Sequence, residues 1–200
     1  KRIQIPNFIE IIDSFAFEHC SKYFDADIPS DSRLKVIESY AFLESTLSTI
    51  SFPPSLIRIG IACFCGTKSI KIQIPDNSRL EVIEKSAFSS SYLSRIKIPA
   101  SLIRLEKNWC ENTKSLFYFD ISPNNPRYKS YNDEIIISKS SLQSENYDVL
   151  VFAVRRIDKV VIPRFIEIIE ACAFQNCLHI TKFEFKSFSN LRIIEYGAFS

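Results

Sequence analysis

Residues 29–42 read PSDSRLKVIESYAF and residues 75–88 read PDNSRLEVIEKSAF, with Pro, Leu, Ile and Phe held in register. No other feature limits the fold as much, because self-similarity at a fixed period of roughly 20–50 residues signals stacked units. The copies open at Pro6, Pro29, Pro53, Pro75 and Pro99, with spacings of 23, 24, 22 and 24 residues. Pro163 opens a later copy, and Lys186 takes the next equivalent place. Two variants share the frame. An aliphatic residue lies three beyond the proline at Ile9, Leu56, Leu102 and Ile166, or five beyond it at Leu34, Leu80 and Leu191. Three further on comes a second aliphatic (Ile12, Ile37, Ile59, Ile83, Leu105, Ile169, Ile194). Five beyond that stands an aromatic (Phe17, Phe42, Phe64, Phe88, Phe174, Phe199), with Cys110 the exception.

Before each proline the residues alternate and are β-branched or aromatic, as in LSTISFP (47–53), LSRIKIP (93–99), IDKVVIP (157–163) and ITKFEF (180–185). Alternation of this kind specifies a strand, and proline ends it because it brings no ladder donor. A unit this small cannot cover its own apolar face. Stacking sets equivalent strands side by side, about 4.8 Å apart, in a parallel sheet and merges the apolar columns into one core. With 46% hydrophobic residues, the 200-residue chain has enough apolar material for that core.

The pattern L-x-x-I-x-I-P followed by L-x-x-I-x-x-x-A-F, present as LSRIKIPASLIRL and IEIIEACAFQNC, resembles the BspA-like class of leucine-rich repeats over essentially the whole chain. The alternation of variants, with SRLEVIEKSAF and NWCENTKSL, is similar to surface-antigen-like proteins of parasitic protists. The resemblance implies an α/β leucine-rich-repeat solenoid, with a parallel sheet on its concave face and short turns or helical pieces on the convex side. Residues 1–200 then form a single repeat domain. The chain has no Met and begins and ends inside the repeat, so it reads as a piece of a longer protein.

Residues 122–156 break the period. DEIIIS and YDVLVFAV are strand-like and flank a polar stretch, Lys139 to Asn146, so the segment is expected as a β-hairpin and loop growing out of the solenoid between repeats.

Chemistry-bearing residues are sparse. Three glycines cannot supply a phosphate-cradling loop. His19 and His179 belong to units at opposite ends, so no nucleophile–histidine arrangement assembles. Glu10, Glu38, Glu84, Glu170 and Glu195 recur at similar places, where near-identical surroundings would not separate an acid from a base. Cys20 and Cys177 occupy a position that elsewhere holds Ser45, Thr67, Ser91 and Thr113, which points to a small buried residue bonding the backbone at a turn. Cys63 and Cys65 form C-x-C, without the paired C-x-x-C of a zinc ribbon. The six cysteines are therefore read as structural thiols. No catalytic residue, metal site or cofactor is assigned.

The expected functional surface is the outward side of the strands. Residues one and three before the proline point inward, and those two and four before it point outward. The outward columns place Lys71, Gln73, Arg95, Lys97, Tyr118, Lys159 and Lys182 on one face as candidate partner-binding residues. Arg and Tyr are favoured anchors of protein interfaces. A net charge of +2, from 25 basic and 23 acidic residues, weighs against nucleic acid, and no apolar run is long enough to enter a membrane.

The leading expectation is a non-enzymatic protein-binding scaffold. Its family resemblance implies adhesion or host contact at a cell surface. Two alternatives stay open: a binder of polyanions such as sulfated glycans, and an intracellular assembly module. Localisation is open too. Resemblance points to the cell surface, whereas unpaired thiols and the lack of an N-x-S/T sequon among ten asparagines point to a reducing compartment.

Overall fold

The computed structural model describes residues 2–68 and 70–200. Along the chain, strands come in pairs, one long and one short: β1 (Arg2–Gln4) with β2 (Ile11–Ile12), β3 (Phe24–Asp27) with β4 (Val36–Ile37), and β5 (Leu47–Ser51) with β6 (Arg58–Ile59). The same alternation continues through β7 (Lys71–Gln73) and β8 (Val82–Ile83), then β9 (Arg95–Ile98) and β10 (Arg104–Leu105). After β11 (Tyr118–Ile121) come β12 (Tyr128–Tyr131), β13 (Ile135–Ser138) and β14 (Val149–Ala153). Regularity returns with β15 (Lys159–Ile162), β16 (Ile168–Ile169), β17 (Lys182–Phe185) and β18 (Ile193–Ile194). The product is a β-solenoid of about eight coils. The convex side, where short turns or helical pieces were expected, consists of turns and two-residue strands, and no helix occurs among the described residues.

The long strands stack in parallel in the predicted register, with Asp25 opposite Thr49, Thr49 opposite Lys71, Arg95 opposite Tyr118 and Lys159 opposite Lys182. They do not form one unbroken sheet. β1, β3, β5 and β7 make a four-stranded run, and β9–β11 and β15–β17 make two pairs. The short strands form a second parallel face, β2-β4-β6-β8-β10. Between the faces the aromatic column is a stack of rings. Phe17, Phe42, Phe64 and Phe88 lie nearly parallel, with successive centroids 4.9, 5.2 and 5.3 Å apart, close to the strand spacing. Phe42, Phe64 and Phe88 are completely buried. In the coil of β18 the aliphatic and aromatic columns are half exposed, as at Ile194 and Phe199.

Each turn around the phenylalanine uses two residues of positive φ, two before and two after it: Phe15 and His19, Tyr40 and Glu44, Ala62 and Gly66, Ser86 and Ser90, Cys172 and Asn176. Reversing the chain within so few residues demands this left-handed geometry, which costs roughly 1–2 kcal/mol at each non-glycine position. Asn108 and Asn112 do the same around Cys110. Cys110 therefore holds the backbone position of the column, with Phe88 N–H donating to the Trp109 carbonyl at 2.8 Å. The missing ring comes from Trp109 one residue earlier, edge-on to Phe88 at 6.3 Å and tilted against Phe152 at 5.8 Å.

The insertion differs from the expected outgrowth. Its two anticipated strands are present as the antiparallel pair β13–β14, but β12 adds a third, and β13 and β14 are buried along their whole length. β14 then pairs in parallel with β16, and β16 with β18. Leu150 stands opposite Ile169 in the aliphatic column, and its carbonyl accepts the Glu170 N–H at 2.9 Å. The segment therefore completes an irregular coil begun by β11 and carries the core through it. Asn125 fastens the entry: Nδ2 donates to the carbonyls of Pro99 and Leu102 at 2.7 and 2.8 Å, and Oδ1 accepts the N–H groups of Arg127 and Tyr128. The Tyr128 hydroxyl accepts the Leu105 N–H at 2.8 Å, a side chain doing what a neighbouring strand does elsewhere.

Candidate functional site

Alternation along the long strands sends the inward residues into the core and leaves the outward columns in water, as β15 shows with Lys159 and Val161 exposed and Val160 and Ile162 buried. Of the seven candidate residues, Lys71, Gln73, Arg95, Tyr118, Lys159 and Lys182 are exposed, and Lys97 is half-buried. The stack gathers them unevenly. Lys71 and Gln73 close the four-stranded run on β7, where Gln73 Oε1 accepts a hydrogen bond from Ser51 at 2.8 Å. Lys159 and Lys182 face each other across β15 and β17, and Lys182 is ion-paired along its own strand to Glu184 at 2.6 Å. Lys97 is not a free cation. Its ammonium is bonded to the Asp76 carboxylate, which that bond holds below the usual carboxylate range.

The tightest grouping is Arg95 with Tyr118. They are opposite one another across β9 and β11, and the Arg95 guanidinium lies 5.3 Å from the centre of the Tyr118 ring. A second guanidinium, from Arg156, lies 4.9 Å from the same ring and is held there by donating from Nε to the Phe117 carbonyl at 3.2 Å. Cation–π contact of this kind is worth about 0.5–1 kcal/mol at an exposed site. Tyr118 remains 47% exposed, so the ring and both charges are open to a partner. Arg156 escaped the reading of the columns because it belongs to the insertion's return. The only signal was the pair of arginines after the apolar run VLVFAV.

The carboxylates are not equivalent. Glu10 pairs with Lys35 at 2.9 Å, and Arg58 bridges Glu38 and Glu84 at 2.6 and 3.1 Å. Glu170 differs: burial pushes its carboxyl up to about 7, and neighbouring Glu195 adds to the rise against Lys107 and Arg127. Arg127, from the insertion, is one of the charges acting on it, so near-identical repeats do not mean identical surroundings. All six cysteines are free thiols. At the Ser/Thr/Cys position, Thr67 and Thr113 donate to the carbonyls of Phe64 and Phe88 at 2.8 and 3.0 Å, and Cys177 makes longer contacts to Ala153 and Val154. Ser45 and Ser91 depart from the expectation, since among the described residues their buried hydroxyls have no hydrogen-bond partner. Among the described residues no three His, Cys, Asp or Glu side chains gather where a metal ion could be held.

The family description "BspA type leucine rich repeat region" matches residues 1–117 and 146–200 in six copies, leaving out most of the insertion. The chain belongs to the BspA-type leucine-rich-repeat family. Among solved structures, this BspA-type chain is similar to the pneumococcal vaccine antigen PcpA at 20% identity and a TM-score of 0.85, covering 100% of this chain and 58% of that one. It is also similar to a leucine-rich cell surface protein of Faecalibacterium prausnitzii, at 22% identity and a TM-score of 0.64, covering 98% and 60%. A leucine-rich-repeat protein of Eubacterium ventriosum aligns at 16% identity and 0.68, covering 88% and 50%. At such identities the likeness is one of fold. The chain spans between half and three fifths of these proteins. No curated protein matches.

Proposed function

We propose that this BspA-type solenoid is a non-enzymatic protein-binding scaffold of surface-antigen-like character, with its outward strand face as the contact surface. The observation that carries the reading is the exposed Tyr118 ring set between the Arg95 and Arg156 guanidiniums. Arg and Tyr dominate interface hot spots because each offers a large apolar body with a directional polar end. Here the rigid strands fix the group before any partner arrives, which lowers the ordering cost of association. Its likeness in fold to a cell surface protein and a vaccine antigen supports adhesion or host contact as the setting.

The test is a screen of the folded chain against an array of cell-surface ectodomains, repeated with Arg95→Glu/Arg156→Glu. Loss of the captured partner without a change in thermal unfolding supports the reading. Undiminished capture by the double variant refutes the strand-face assignment.

A second reading, polyanion binding, draws on the exposed outward cations Lys71, Arg95 and Lys159, with Lys97 committed to Asp76. A sulfated glycan that neutralises several such cations releases counterions, so its affinity would fall steeply with added salt. A protein interface centred on Tyr118 would respond weakly.

A further inference from the structure

Beside β15 and β17 a groove of about 660 Å³ opens on the strand face. Its floor is Val161 and Glu184, from the outward column, and its rim is Arg164, Phe165 and Lys186 from the turns that follow. One wall is Tyr131, at the end of β12, whose ring meets Phe165 edge-on at 6.1 Å. An equivalent groove of about 480 Å³ lies between earlier coils, where Ser51 and Gln73 form the floor and Pro54 and Asn77 the rim. That one carries no charge.

Three differences make the later groove a candidate site rather than a seam between repeats. The residue after the proline is Asn7, Ser30, Pro54, Asp76 or Ala100 in other coils, and a cation only at Arg164. Lys186 replaces the proline itself. The wall comes from the insertion and so exists once. Phe165 is 41% exposed. Among the described residues neither Arg164 nor Lys186 has an ion-pair partner, whereas the one acid, Glu184, is neutralised by Lys182. The groove thus offers exposed aromatic surface between two uncommitted positive charges.

We infer that this groove binds an acidic peptide segment carrying an aromatic side chain. The ring seats against Phe165 and Tyr131, and flanking carboxylates meet Arg164 and Lys186. Charge complementarity selects the acidic chain, and burying the peptide's ring on exposed aromatic surface supplies the apolar share. The inference rests on the protein-binding reading only in that the occupant is a polypeptide, because the groove is separate from the Tyr118 group.

The experiment measures fluorescence anisotropy of a labelled synthetic peptide, with aspartates and glutamates around one phenylalanine, titrated with the whole chain at physiological salt. Expected is a Kd on the order of 10–100 µM. It should weaken at least about tenfold with Arg164→Glu/Lys186→Glu, and comparably when the probe's phenylalanine becomes alanine. Phe165→Ser should weaken it too. If that variant unfolds, the exposed charge pair still decides the matter. No binding, or binding indifferent to Arg164→Glu/Lys186→Glu, overturns the proposal, as does preference for a sulfated oligosaccharide over the peptide. Loss with Arg95→Glu/Arg156→Glu but not with the groove variants places the probe at Tyr118; the groove proposal then fails while the protein-binding reading stands.

Discussion

Arg155 donates from Nε to the Thr113 carbonyl at 3.1 Å, closing the gap that the irregular coil leaves in the stack. Its Nη1 donates to Ala173 at 3.1 Å and, at 3.4 Å, to Ala153, and the guanidinium lies 4.5 Å from the centre of the Phe152 ring. The side chain is 1% exposed, and among the described residues Nη2 has no partner. In regular coils a backbone N–H from the next turn meets the equivalent carbonyl, as Tyr92 does for Thr67. β14 ends without such a turn, and a side chain with several fixed donors takes its place.

Arg155→Met should therefore destabilise the fold by about 3 kcal/mol, combining lost charge-assisted bonds with imperfect filling of the site. Arg155→Lys should not restore it, because one ammonium cannot reach carbonyls on both neighbouring coils. Equilibrium urea unfolding measures both. A change below about 1 kcal/mol in Arg155→Met would show that the gap closes without the guanidinium.

Glu170 gives the fold a pH dependence near neutrality. Its folded-state value of about 7 lies above the ordinary 4.5, so the folded chain holds this proton more tightly than the unfolded one. The stabilisation is complete below the unfolded value and is lost as pH rises through about 7. Glu170→Gln should raise the Tm more at about pH 8 than at about pH 5. Equal shifts at both would contradict the assignment.

Gly60 stands in a column otherwise held by the acids Asp13, Glu38, Glu84, Glu106, Glu170 and Glu195. A Cβ there would lie 2.5 Å from the Ser39 nitrogen and 2.7 Å from the Glu38 carbonyl carbon. Backbone cannot yield as a flexible side chain does, so Gly60→Ala should cost about 1–3 kcal/mol on thermal or urea unfolding. It should also strain the neighbouring Glu38–Arg58–Glu84 bridge.

Ser86 has a φ of 57° and, among the described residues, makes no side-chain hydrogen bond that glycine would forfeit. Relief of the left-handed strain outweighs glycine's greater freedom in the unfolded chain, so Ser86→Gly should stabilise by roughly 0.5–1 kcal/mol. Urea midpoints of the two chains decide it.

The thiols should divide by exposure. Cys20 and Cys65 are part exposed, while Cys63 and Cys110 are buried, and burial pushes the Cys110 thiol up to about 12. A small disulfide reagent should titrate Cys20 and Cys65 in the native protein and reach Cys63 and Cys110 only after denaturation. Mass mapping of the labelled sites reads the result.

The sequence by itself determined the period, the inward and outward columns, the stacking of Phe17 through Phe88 and the exposure of Arg95 and Tyr118. Each of these repeats a short local pattern, and a repeat's neighbour is another copy of itself. Only the tertiary structure decided how the chain crosses residues 122–156. There the register lapses, and the partner of each group lies far along the chain: Arg155 for Thr113, Arg156 for Tyr118, Tyr131 for Phe165. Periodicity cannot pair residues that occur once. Both the second guanidinium at Tyr118 and the walled groove arise where the pattern stops, because only there does a side chain meet a surface its own copies do not supply.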